Sequence, residues 1–172
     1  LPVFPLASIA LYSSSAVYVM SLSDELRNMR SYLDIQLMMH DYEFDVEFDV
    51  DESIGQYQSL NLMLQPLIEN AIAHGIDVKT DGRGKLTITG KEDGDLIVLT
   101  VADNGVGMSP EQVELFNHFD YQKEKIETSI GVRNVITRLK LYYGGQGSFY
   151  VESWKETDRE GTRITMKIPY EA

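Results

Sequence analysis

The chain has 172 residues, 43% of them hydrophobic and 24% charged, which suits one globular domain with a sizeable core. Its formal charge of −12 excludes nucleic acid or an anionic lipid surface as the main partner, since both need a basic face. Cysteine is absent, which removes disulfide and thiolate chemistry, and no apolar run reaches the roughly 18 residues of a membrane helix.

Residues 1–20 carry Pro2, Pro5 and a Ser13-Ser14-Ser15 stop, without the basic start of a signal peptide. The chain begins with Leu, and we take 1–20 for a remnant of an upstream segment or linker. Ser21 to Met39 is a helix, with Ser23 as the expected cap and Asp24 and Glu25 in the first turn, where the helix dipole favours anions. Leu22, Leu26, Met29, Leu33 and Leu37 form its apolar stripe. Glu43 to Val50 alternates apolar and acidic residues, the pattern of a half-buried strand whose acids face water rather than a metal. Asp51 to Ser59 reads as a linker.

Leu64 to Gly75 is a second helix. Its apolar residues, Leu64, Leu67, Ile68, Ala71 and Ile72, recur at helical spacing. Asn70 and His74 stand one turn apart on another face, with Glu69 beside them. Pro66 begins this helix or kinks a longer one, and Gly75 is placed to end it. Lys85 to Lys91 and Asp95 to Asp103 form a hairpin around Glu92-Asp93-Gly94, which leaves Asp103 at a strand end before Asn104-Gly105-Val106-Gly107. On its own that stretch is equally an ordinary Asn-Gly turn. Ser109-Pro110 opens a short helix to about Phe116. Asn117 to Ser129 lacks periodicity and reads as a loop. Gly131 to Tyr143 is a third long helix, and Ser148 to Trp154 and Thr162 to Ile168 are the closing strands. This order predicts an α+β, two-layer α/β sandwich, a mixed sheet with helices on one face.

Four pieces in register resemble the ATP-binding domain of sensor histidine kinases: LQPLIENAIAHGI at 64–76, DNGVG at 103–107, IGVRNVITRLKLYYG at 130–144 and GTRITMKIP at 161–169. The wording is most similar to the LytS/YesM-like subgroup. The wider superfamily is the GHKL group that includes gyrase, mismatch-repair ATPases and a heat-shock chaperone. The resemblance covers 21–169 and implies the Bergerat ATP-binding fold over 21–172. It implies ATP and Mg²⁺ as ligands, with Asn70 offering an amide oxygen to the metal and Glu69 a tentative catalytic partner. It assigns Asp103 and Thr162 to adenine, and Gly105 and Gly107 to close passage of the backbone. It sets Gly131, Arg133 and Asn134 near the phosphates, with His74 as a further nucleotide contact, and makes 117–129 the lid.

A net negative domain must hold phosphates through backbone N–H groups, a metal and a few local cations. The departures from the family bear on this. Of a GxGxG lid signature only Gly131 remains, after Thr128-Ser129-Ile130, and the basic residue expected three after Asn70 is Ala73. Pro66 stands four before Asn70, where gyrase-like ATPases carry a water-activating Glu. His40, His74 and His118 all lack the HFxxN-like surroundings of a phosphoacceptor. The resemblance therefore implies a catalytic domain that phosphorylates a histidine on an upstream helical segment outside this chain. The longer protein is expected to be a homodimer, a membrane-anchored sensor with this domain in the cytoplasm, relaying to a response regulator. The competing expectations are a weakly binding pseudokinase or nucleotide sensor, and a GHKL-type ATPase.

Overall fold

The computed structural model describes residues 19–120, 130–156 and 159–170. A short strand β1 (Val19–Ser21) leads into α1 (Leu22–Met39). The cap is Ser21 rather than Ser23, because Ser21 is the last extended residue and its Oγ accepts from the Asp24 N–H at 3.1 Å. After α1 come β2 (Phe44–Val50), a 3₁₀ turn (Glu52–Gln56) and β3 (Gln58–Leu60). The expected linker is thus partly ordered as a strand, since β3 pairs antiparallel with β1.

The Asn helix is α2 (Gln65–Asn70), with Pro66 in its first turn, where a missing N–H costs nothing. It runs on into a π-helical turn, Ala71–Ile76. Gly75 therefore does not end the helix as the sequence suggested; it lies inside the wider turn, which closes with Asp77 N–H donating to Ile72 C=O at 2.9 Å. The strands β4 (Gly84–Asp93) and β5 (Leu96–Asp103) form the expected hairpin, with Asp93 opposite Leu96. There follow α3 (Pro110–Asn117), α4 (Ile130–Tyr143), β6 (Ser148–Glu156) and β7 (Arg159–Pro169). The last two strands are longer than their apolar runs, because pairing continues to Glu156 and Arg159.

The main sheet has the order β2-β4-β5-β7-β6, with only β2 and β4 parallel. Leu86 and Ile88 of β4, Leu99 and Val101 of β5, Ile164 and Met166 of β7 and Val151 of β6 face one way. They share one core with Met29 and Leu33 of α1, Leu67 and Ile68 of α2 and Val132, Val135, Ile136 and Leu139 of α4. All the helices cover this face, as predicted. On the open face Arg83 pairs with Asp45 and Lys85 with Glu47, so part of the acidic rim of β2 is matched by cations before and on β4. The edge strand β6 is met by Asn117 of α3. Its amide Nδ2 donates to Val151 C=O at 2.9 Å, and its Oδ1 accepts from Val151 N–H at 2.7 Å.

Glu25 is a surprise of the fold. The sequence placed it in the first turn of α1, and there it is 1% exposed. Its Oε1 accepts from Met63 N–H at 2.7 Å and Leu64 N–H at 2.8 Å, just ahead of α2. Burial raises its carboxyl above the ordinary range, and these N–H groups and the Arg138 guanidinium oppose the rise. A buried carboxylate at a helix N-terminus is supported by orphan N–H groups and by the dipole. Arg138 of α4 holds the same segment from the other side, donating to Asn61 C=O at 2.6 Å and to Asn61 Oδ1 at 2.9 Å.

Candidate functional site

Pairing register builds the floor of the site. Asp103 lies opposite Leu86 on one side and Thr162 on the other, and Thr162 lies opposite Ser153. Side chains alternate along each strand, so Asp103, Thr162 and Ser153 share the core-facing side of the sheet. They sit one step beyond the last apolar layer, Ile88, Val101, Ile164 and Val151. There the sheet runs out from under the helices and leaves a gap.

The Asn helix forms the other wall, and two glycines set its approach. A Cβ at Gly105 would overlap the carbonyl carbon of Gly75, and a Cβ at Gly75 would come within 2.6 Å of Asp103 Oδ1. Val106 N–H donates to Gly75 C=O at 3.3 Å, which ties turn to helix. Bare backbone at both positions therefore brings the helix carrying Asn70 and His74 against the end of β5. Gly107 has φ +71°, in the left-handed region, and turns the chain back over the gap.

The result is a cleft of about 470 Å³ lined by Asn70, His74, Gly75, Val78, Asp103, Gly107, Met108, Gln112, Phe116 and Thr162. Five of the residues singled out from the sequence meet there: Asn70, His74, Asp103, Gly107 and Thr162. Gly105 lies beneath, in the helix contact. Glu69, Gly131, Arg133 and Asn134 are not among the described residues that line it. Glu69 is exposed and accepts from Gln65 Nε2 at 2.8 Å. Gly131 packs its first turn of α4 on Pro66, and the Arg133 guanidinium stacks on Phe119 at 5.2 Å. Thr128 and Ser129, and most of the expected lid, lie outside the described residues.

Asp103 is the electrostatic centre. Burial pushes its carboxyl up to about 6, against the hydrogen bonds it accepts from the backbone N–H groups of Gly105 and Thr162. A carboxylate held this way suits a ligand that brings its own N–H donors. Thr162 is 5% exposed and its Oγ1 lies 3.2 Å from Ser153 Oγ. Asn70 lines the cleft and makes no side-chain hydrogen bond among the described residues, which leaves its amide oxygen without a protein donor. That oxygen is the hard neutral donor a Mg²⁺ ion takes alongside phosphate oxygens and water. No Lys or Arg lines the cleft among the described residues. The apolar part comes from Val78, Met108 and Phe116.

Ser153 was missed from sequence. Its Oγ accepts from Met108 N–H at 2.6 Å and donates to Gly161 C=O at 2.9 Å, which pins the glycine turn to β6. Counting register back from the β6–β7 turn would have placed it opposite Thr162. Asn104, which read as a turn former, instead splices the turn to β4. Its Oδ1 accepts from Lys85 N–H at 2.6 Å and its Nδ2 donates to Arg83 C=O at 3.0 Å. His40 and His118 lie away from the cleft, paired with Asp77 and Glu114.

Comparisons with known proteins bear on the family and the fold. Residues 55–172 match the family model described as histidine kinase-, DNA gyrase B-, and HSP90-like ATPase. The chain is 33% identical to sensor histidine kinase YpdA of Escherichia coli over 72% of its length, and 26% identical to sensor protein LytS of Bacillus subtilis over 86%. It spans 21% and 24% of those two proteins. Among solved structures, the catalytic domain of histidine kinase ThkA superposes with a TM-score of 0.59 at 19% identity, covering 90% of this chain and 97% of that one.

Proposed function

Since the chain belongs to the histidine kinase-, DNA gyrase B- and HSP90-like ATPase family, we propose that it is the ATP-binding catalytic domain of a two-component sensor histidine kinase. The observation that carries this is the placement of Asn70 and Asp103 on one cleft from two separate elements, an Asn helix and a strand end. Asp103 accepts from the exocyclic amine of adenine, and Thr162 supports it. Gly105 and Gly107 let the backbone run close to the ring. Asn70 offers its amide oxygen to Mg²⁺ at the triphosphate end, with His74 beside it. When bound, the metal neutralises phosphate charge. The chain's own part is to hold the nucleotide in line with an incoming histidine, which is most of what phosphoryl transfer requires. Gly131, Arg133 and Asn134 at the start of α4 are assigned to the phosphates, where helix N–H groups serve anions. Glu69 is the candidate for holding a metal-bound water.

The acceptor histidine belongs to an upstream helical segment of a homodimeric, membrane-anchored protein, and the phosphoryl group then passes to a response-regulator aspartate. No helix among the described residues is long and apolar enough to cross a membrane. A second reading, a weakly binding nucleotide sensor, is favoured by the lack of Lys or Arg in the described lining and by Ala73. Titrating ATP into wild type and Asn70→Ala, with and without Mg²⁺, tests the site. Tighter binding with Mg²⁺, lost in the variant, is expected, and no binding at millimolar ATP overturns the proposal. Phosphate transfer to histidine in the longer chain separates kinase from sensor.

A further inference from the structure

We propose that α1 is a splint for the Asn helix, with Glu25 and His40 as the positioning residues that fasten its two ends. The proposal rests on the reading of Asn70 as a nucleotide-site residue. Two contacts and one charge coupling define the splint. At the start of α1, the Glu25 carboxylate takes the N–H groups of Met63 and Leu64 at 2.7 and 2.8 Å. Midway, Glu69 lies near enough to Tyr32 to add to the burial that raises its phenol. At the end, His40 Nε2 meets Asp77 Oδ1 at 3.0 Å, while its Nδ1 contacts Gln36 C=O at 2.8 Å.

At all three points the partners stand 37 to 39 residues apart in the chain. A constant offset of this kind means that the two helices run parallel and in step. Glu25 and His40 thus tie α1 to both ends of the Asn helix, whose Gly75 also rests on Asp103 and Gly105 of the sheet, so α1 sets the tilt of the turn that carries Asn70. Any displacement of α1 moves Asn70 and His74 relative to Asp103. The His40 ring is itself seated edge-on against Phe44 at 5.5 Å, which references that end of the splint to β2.

Amide hydrogen exchange and nucleotide binding on the 172-residue chain test this together. The variants are Glu25→Ala, Asp77→Ala and Glu25→Gln, the last keeping an acceptor oxygen at the same place. Exchange of the amides in 67–76 should rise at least about tenfold in the two alanine variants, with β4 and β5 unchanged, and Gln should restore most of the protection. The Mg²⁺-dependent gain in ATP affinity should fall several-fold, while affinity for adenosine, read by Asp103, stays put. A merely destabilised fold would instead weaken both ligands in proportion and raise exchange everywhere; that result overturns the splint. So does unchanged exchange at 67–76 in Asp77→Ala, whose exposed site leaves the core intact even if Glu25→Ala fails to fold. A wild type with no Mg²⁺ gain but the expected exchange response rejects the role of Asn70 and upholds the splint.

Discussion

Protonating Asp103 should switch off recognition of adenine, and its burial fixes the window. The folded carboxyl stands at about 6 against an ordinary 3.8, a cost to the charged form of roughly 3 kcal/mol. The folded value is raised, so the related stability is fully present below about pH 4 and is lost as pH climbs through 6. Nucleotide affinity runs the opposite way. The amine of adenine needs an acceptor, so binding weakens about tenfold from pH 7 to pH 5 as the group takes up its proton. In Asp103→Asn, one acceptor becomes a donor facing a donor. Affinity should drop by about 1.5–3 kcal/mol, roughly ten- to a hundredfold, and the pH dependence should vanish. Calorimetric titration of ATP into both proteins from pH 5 to 7.5 measures this, and their ratio cancels the phosphate's own titration. Wild-type affinity that is flat across that range, or a variant that binds like wild type, refutes the reasoning.

Other expectations follow from local geometry. Gly105→Ala puts a methyl into the Gly75 carbonyl carbon; it should cost about 1–3 kcal/mol by thermal unfolding and weaken ATP binding more than its stability loss explains. Leu62 holds φ 55° with its side chain 48% exposed, so Leu62→Gly should stabilise the domain by about 1 kcal/mol in urea unfolding. Ser21→Ala removes the cap of α1 and should cost about 1 kcal/mol by the same measurement.

Periodicity revealed α1, the β4–β5 hairpin and α4, because each buries one face and so carries a 3.6 or 2.0 repeat. It also set Asn70 on a polar helix face and Asp103 at a strand end, but only the resemblance to histidine kinases assigned the two to one nucleotide. The misses share one cause: they depend on partners distant in the chain. Glu25 looks like a solvated first-turn acid until Met63 and Leu64 arrive. Ser153 is an unremarked polar residue until register sets it beside Thr162. The π turn at Ala71–Ile76 follows no residue preference; Gly75 read as a stop because glycine usually is one, whereas here it serves the contact with Gly105.

The bridging of Val151 by the Asn117 amide has a consequence for assembly. One carboxamide occupies both main-chain groups that β6 offers outward at that point, so an incoming strand finds neither donor nor acceptor there. The opposite margin, β2, projects Asp45, Glu47 and Asp49 into solvent, a row of charge that discourages strand addition. With both borders guarded in this way, strand addition is a poor route for another molecule onto this sheet. Growth into open-ended fibres by edge-to-edge pairing is thereby discouraged.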